Sequence, residues 1–196
     1  MAKNSTRLKS QRKTKKKEPT PEFRPEQIRI VAGLGNPGLA YRNTYHNVGF
    51  LALDYFSGET PENEWHKSKN FSYLKTDKLI LVKPGIFMNE SGGALKQALH
   101  YFKAKPENLL VVHDDSDIEL GKYKIGFSRG AAGHRGVASV INNLKTNDFW
   151  RLRIGVRNRR GKAGDFVLEK ITRPEEKILA PVLQYLRKIL DISDSN

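Results

Sequence analysis

The chain has 196 residues, no cysteine and a formal charge of +14, from 35 Lys or Arg against 21 Asp or Glu. That length suits one domain with a proper core, and the absence of cysteine excludes disulfides and thiolate chemistry. No apolar run approaches the ~20 residues of a membrane span, and the five histidines (His46, His66, His100, His113, His134) show no close metal-ligand spacing, so neither a membrane nor a metal is expected.

Residues 1–17 carry eight Lys or Arg and no acid, which leaves about +6 on the rest of the chain. This segment lacks the apolar stretch of a secretory signal, and its Lys bias and missing apolar face speak against a mitochondrial presequence. Residues 1–26 are therefore expected to be a disordered basic tail and linker, able to tether RNA electrostatically. The domain follows over 27–192. A strand over 27–31 leads into Gly33-Leu34-Gly35-Asn36-Pro37-Gly38. The spacing of Gly33, Gly35 and Gly38 fits a dinucleotide-binding turn, but Pro37 removes an amide donor and no second strand with a terminal acid follows about 20 residues on. The pattern predicts a helix over 44–56, capped by Thr44 or Asn47, then an irregular stretch over 57–69. Strands over 71–75 and 78–83 read as a hairpin turning at Thr76-Asp77.

Pro84-Gly85 breaks the chain, and Ala94, Leu95, Ala98, Leu99 and Phe102 mark the apolar face of a helix over 91–102. Asn89 can cap that helix. Leu109 to His113 is a continuous apolar run, as in a strand buried on both faces, and it ends at Asp114, Asp115 and Asp117. A strand over 122–127, a flexible loop over 129–136, a helix over 137–144 and a strand over 150–156 follow. Then come a basic loop over 157–164, with Arg157, Arg159 and Arg160, and an amphipathic helix over 174–190 containing Pro181. This order gives an α/β class: a single three-layer domain with a mixed, mostly parallel sheet covered by helices on both faces.

Active sites in open α/β sheets gather at the carboxyl ends of strands. Here those ends deliver Asn36 and His46, Asn89, and Asp114. A histidine, a carboxylate and two asparagines, with no evident serine or cysteine nucleophile, suit hydrolysis by general-base activation of water. Neutral imidazole accepts the proton, the carboxylate orients it, and the side-chain amides hold a carbonyl oxygen. Asp115 and Asp117 read as turn formers, His113 as a packing residue and His100 as structural.

The segments G-L-G-N-P-G-L-A-Y-R-N-T-Y-H-N-V-G (33–49), K-P-G-I-F-M-N-E-S-G (83–92), V-V-H-D-D-S-D (111–117), G-A-A-G-H-R-G (130–136) and R-L-R-I-G-V (151–156) together resemble the bacterial-type peptidyl-tRNA hydrolases. The resemblance runs over about residues 28–190. It implies a monomeric, cytoplasmic enzyme of translation and ribosome rescue that cleaves the ester of peptidyl-tRNA without a cofactor. By position it makes His46 the general base, Asp114 its orienting carboxylate, and Asn36 a residue that tells blocked from free amino groups. Tyr41, Phe87 and Asn89 match residues lining the substrate site, and Arg153 matches an arginine that binds the tRNA 5′-phosphate. The lysine usually paired with that arginine falls at Gly126, with Lys124 and Arg129 as nearby substitutes. The family's usual asparagine after the histidine of 130–136 is Arg135, which donates but cannot accept a hydrogen bond. A non-catalytic RNA-binding protein on the same fold is the alternative.

Overall fold

The computed structural model describes residues 21–58, 64–158, 164 and 166–191. The basic tail over 1–17, and Arg159 and Arg160 of the basic loop, lie outside the described residues. The elements are β1 (Ile30–Gly33), α1 (Val48–Phe56), β2 (His66–Lys67), β3 (Phe71–Lys75), β4 (Ile80–Pro84), α2 (Ser91–Tyr101), β5 (Leu109–Glu119), β6 (Tyr123–Phe127), α3 (Arg135–Leu144), β7 (Trp150–Arg157) and α4 (Arg173–Ile189). Among the described residues they form one seven-stranded sheet in the order β2-β3-β4-β1-β5-β7-β6. The central four strands run parallel, and β3 and β6 pair antiparallel to their neighbours β4 and β7.

Alternation along the buried strands sorts side chains onto two apolar layers. Leu110 and Val112 face α1 and α4, where Leu53, Phe56, Leu183 and Leu186 pack. Leu109 and Val111 face α2 and α3, where Leu95, Leu99, Val137 and Val140 pack. Burial of each such side chain stabilises the fold by roughly 1.5–3 kcal/mol. The expected three-layer α/β domain is thus observed. In α4, the buried Leu179, Val182, Leu183 and Leu186 follow helical spacing, and the helix runs on through Pro181.

The glycines near β1 serve packing. A Cβ on Gly33 would stand 2.3 Å from the carbonyl oxygen of Gly49, so the start of α1 lies directly against the strand. Gly38 takes φ +101°, which only glycine adopts without strain.

Several boundaries differ from the sequence expectation, each for a local reason. Pro25–Gln27 forms a 3-10 turn, so β1 starts at Ile30. The helix expected over 44–56 opens as a 3-10 turn, Tyr45–Asn47, and neither Thr44 nor Asn47 caps it. Asn47 instead accepts the Asn36 N–H at 2.8 Å and donates to the Asn36 carbonyl at 2.9 Å, completing backbone groups beyond the end of β1. The hairpin turns over four residues because both the amide and hydroxyl of Thr76 bond to Leu79. The irregular stretch over 57–69 contains the short edge strand β2. Asn89 sits in a 3-10 turn and does not cap α2. The largest difference is β5, which continues six residues past His113 because β7 pairs with it as far as Glu119 opposite Arg157.

Candidate active site

β1 ends at Gly33 opposite Val112, while β5 runs on. Beyond that point one flank of β5 has no neighbouring strand, and Asp114 is placed on it. The loop after β1 carries Asn36, Tyr41 and His46; the segment after β4 carries Phe87 and Asn89; the start of α3 carries His134 and Arg135. All of these line one cavity of about 580 Å³ together with Asp114. Arg153 is not among its lining residues. It lies beside His113 in the β5–β7 register and binds Asp115, Nε to Oδ2 at 2.6 Å. Asp115 also accepts the Asp117 amide at 2.9 Å, but both residues lie within β5 and not in the turn expected of them, and each pairs with an arginine of β7, Arg153 and Arg157.

The centre of the site is one carboxylate oxygen. Asp114 Oδ1 is 2.8 Å from His46 Nδ1 and 2.9 Å from His134 Nε2. Burial alone would raise the Asp114 pKa, but His134, and next His46, both hydrogen-bonded to its carboxylate, hold it far below the usual carboxylate range. An ionised carboxylate only accepts, so both ring nitrogens are N–H donors. His134 is fixed in that tautomer from its other side: its Nδ1 accepts the amides of Gly136 and Val137, at 3.1 and 3.2 Å, and caps α3. With Nδ1 of His46 donating to Asp114, its Nε2 carries the free lone pair. These three side chains place their ligand atoms within 4.8 Å of one another, as a metal site would. The contacts are nonetheless those of two protons shared with one oxygen.

His134 is the residue that sequence reasoning missed. Histidine is a rare helix cap, and its signals were its place in G-A-A-G-H-R-G and just before an apolar helical run. Arg135, expected in a loop, is the first residue of α3 and is exposed at the cavity. His113 packs as expected, donating Nδ1–H to the Asp114 carbonyl at 2.7 Å. Burial, and next the adjacent His134, lower its pKa well below the ordinary histidine value. It is therefore neutral.

Asn36 is buried, and its Oδ1 accepts the Met88 amide at 2.8 Å. What it can offer a ligand is consequently its NH2 group. Asn89 is exposed at the rim. Tyr41 and Phe87 meet edge to face with centroids 6.3 Å apart, and Phe87 is 53% exposed, a surface on which a planar group can stack.

Beside the cavity, β6 and β7 carry cations on the α3 side of the sheet. Lys124 stands opposite Arg153, and Gly126 opposite Arg151. A Cβ at Gly126 would meet Arg129 Cγ at 3.6 Å and Nε at 3.8 Å, ordinary contact distances, so the arginine lies directly alongside position 126. Arg151 is buried with an unpartnered Nε. Burial, and next the charge of Arg153, lower its pKa to about 10.

This architecture has relatives. A family model described as peptidyl-tRNA hydrolase matches residues 30–195. The peptidyl-tRNA hydrolase of Mycoplasmopsis synoviae (strain 53) is 38% identical over 157 residues, covering 80% of this chain and 84% of the relative. That of Sulfurihydrogenibium sp. (strain YO3AOP1) is 36% identical over 168 residues, covering 83% and 89%. The solved peptidyl-tRNA hydrolase from Acinetobacter baumannii shares the fold, with a TM-score of 0.75 over 87% of this chain and 90% of its own at 22% identity.

Proposed function

The chain belongs to the peptidyl-tRNA hydrolase family, and from that premise we propose that it hydrolyses the ester joining a peptide to tRNA with His46 as general base. The observation that carries this is the bond from His46 Nδ1 to Asp114, which leaves Nε2 as the proton acceptor inside the cavity. Nε2 takes a proton from a water molecule as its oxygen adds to the ester carbonyl. The imidazolium is stabilised by Asp114 and then returns the proton to the departing ribose oxygen. Peptide carboxylate and free tRNA result. The NH2 groups of Asn36 and Asn89 hold the carbonyl oxygen and the blocked amino end of the peptide, a type of contact that contributes on the order of 3 kcal/mol. The Tyr41–Phe87 pair receives the terminal base by stacking.

Arg153 and Arg129 form the seat for the tRNA 5′-phosphate, with Arg129 beside the position of the family's usual lysine. Arg135 adds a cation at the mouth of the cavity, where it meets the phosphates of the acceptor end. The basic residues over 1–17 add RNA contact. The intact His46–Asp114 pair favours a catalyst over a purely RNA-binding protein. Among the described residues no helix is long and apolar enough to cross a membrane. The test is release of peptide from N-acetyl-aminoacyl-tRNA beside unblocked aminoacyl-tRNA. Turnover of the blocked substrate alone is expected, and equal turnover of both would reject the assigned selectivity.

A further inference from the structure

His46 is held at its side chain by Asp114, but its backbone is held from the far end of the chain. The amide of His46 donates to the Val167 carbonyl at 2.7 Å, and that of Tyr45 to the Glu169 carbonyl at 3.2 Å. Ile171 N–H donates to the Asn43 carbonyl at 2.8 Å, and Thr44 forms an isolated bridge with Lys170. Residues 43–46 thus lie along residues 167–171 as a short antiparallel pair.

One side-chain knot closes this pair. The Tyr45 ring is buried edge-on against Phe166, centroids 5.9 Å apart, and its hydroxyl donates to Glu175 Oε1 at 2.7 Å. Asn158 Nδ2, just past β7, lies 2.6 Å from the Tyr45 hydroxyl and 2.5 Å from Glu175 Oε1. The other oxygen, Oε2, accepts the Thr172 amide at 2.8 Å and hydroxyl at 2.7 Å. A capping box needs only that second oxygen. Oε1 is free for another purpose, and it ties the residue before His46 to the start of α4 and the end of β7.

We infer that Tyr45 and Glu175 are positioning residues that set the approach of His46 Nε2 to the ester, through the contact of the Tyr45 hydroxyl with Glu175 Oε1. The inference rests on the hydrolase function proposed above. Misplacing a reacting group by about 1 Å can cost on the order of a hundredfold in rate, and loss of the knot removes only part of the restraint, because the backbone pairing and the bond to Asp114 remain. The four donors on Glu175 outweigh its burial and lower its pKa to about 2, so the knot is charged throughout the working range.

The test measures kcat and KM on N-acetyl-aminoacyl-tRNA for the full chain, Tyr45→Phe, Glu175→Ala, Glu175→Gln and Thr172→Ala, at a temperature where circular dichroism shows every protein folded. Tyr45→Phe and Glu175→Ala are expected to lose roughly tenfold in kcat with KM within about twofold. Glu175→Gln, whose single amide oxygen can serve the Tyr45 hydroxyl only with its NH2 turned to the Thr172 donors, should recover part of the loss. Thr172→Ala removes one donor from Oε2 but spares the Tyr45 contact at Oε1, and should lower Tm with kcat lowered by less than about twofold. Wild-type kcat in Tyr45→Phe, or kcat that merely follows Tm across all four variants, overturns the positioning role while the hydrolase function stands. A folded wild-type chain that releases no peptide overturns both.

Discussion

Exchange of Asp114 for asparagine separates charge from geometry in this site. In a serine-protease triad such a change costs ~10⁴-fold, because the histidine takes the wrong tautomer. Here His134 prevents that outcome. Its Nε2–H, fixed as a donor by the α3 cap, requires an acceptor where Asp114 Oδ1 stands. In Asp114→Asn the amide oxygen must occupy that place, and it then also accepts from His46 Nδ1, 2.8 Å away in the parent. Both hydrogen bonds survive, and only the attraction between carboxylate and developing imidazolium is lost. With charge centres about 4 Å apart and an effective dielectric near 20, that attraction is at most ~4 kcal/mol. His46 retains 15% of its side-chain exposure, so water screens part of it. A loss of about 2–3 kcal/mol, or roughly 30- to 150-fold in kcat, is expected from single-turnover cleavage. In the Asp114→Asn, His134→Ala double variant nothing fixes the amide, and the loss should approach ~10⁴-fold, well beyond the product of the single effects. A loss of that size in Asp114→Asn alone, or strictly multiplicative single effects, would refute the role given to His134.

Arg129→Ala should weaken binding of 5′-phosphorylated tRNA about five- to tenfold and lower the salt slope by about one, sparing 5′-hydroxyl tRNA; Gly126→Lys in that background should restore it, and equal losses on both tRNAs would remove Arg129 from the phosphate seat. Arg135→Asn, which returns an acceptor to the cavity mouth, should raise kcat severalfold while weakening tRNA binding at low salt; a lower kcat contradicts that. Neutral, buried His113 has a pKa lowered in the folded state, so below about pH 6.5 the unfolded chain binds the extra proton and stability falls as pH falls, by up to ~1.4 kcal/mol per unit. Urea unfolding of His113→Gln between pH 7 and 5 should show a shallower decline than the parent, and an identical decline would mean that other groups set the slope.

The fold class and most of the site were legible because apolar periodicity and glycine spacing are local signals. Asn36 follows a recognisable strand end, His46 lies farther along the same loop, and Asp114 stands inside a strand that the sequence ended too early; all three line one cavity. What escaped depends on distant partners. The reach of β5 past His113 is set by β7, some 40 residues later. Asn47 looked like a helix cap because its clamp on Asn36 is made across a turn whose shape the sequence does not display. His134 was legible only as part of a motif, since its role requires Asp114 to arrive from β5. Glu175 was hidden for the same reason: its capping partner is three residues away, but Tyr45 is 130 residues away.

Delivery of water to the ester by His46 is tested by single-turnover cleavage of N-acetyl-aminoacyl-tRNA in ¹⁸O-water. Peptide and tRNA would be weighed for the parent and for His46→Ala. One heavy oxygen is expected in the peptide carboxylate, with an unlabelled tRNA 3′ end and a rate in His46→Ala lower by at least ~10²-fold. Label in the tRNA hydroxyl, or cleavage by His46→Ala at the parent rate, would contradict that delivery.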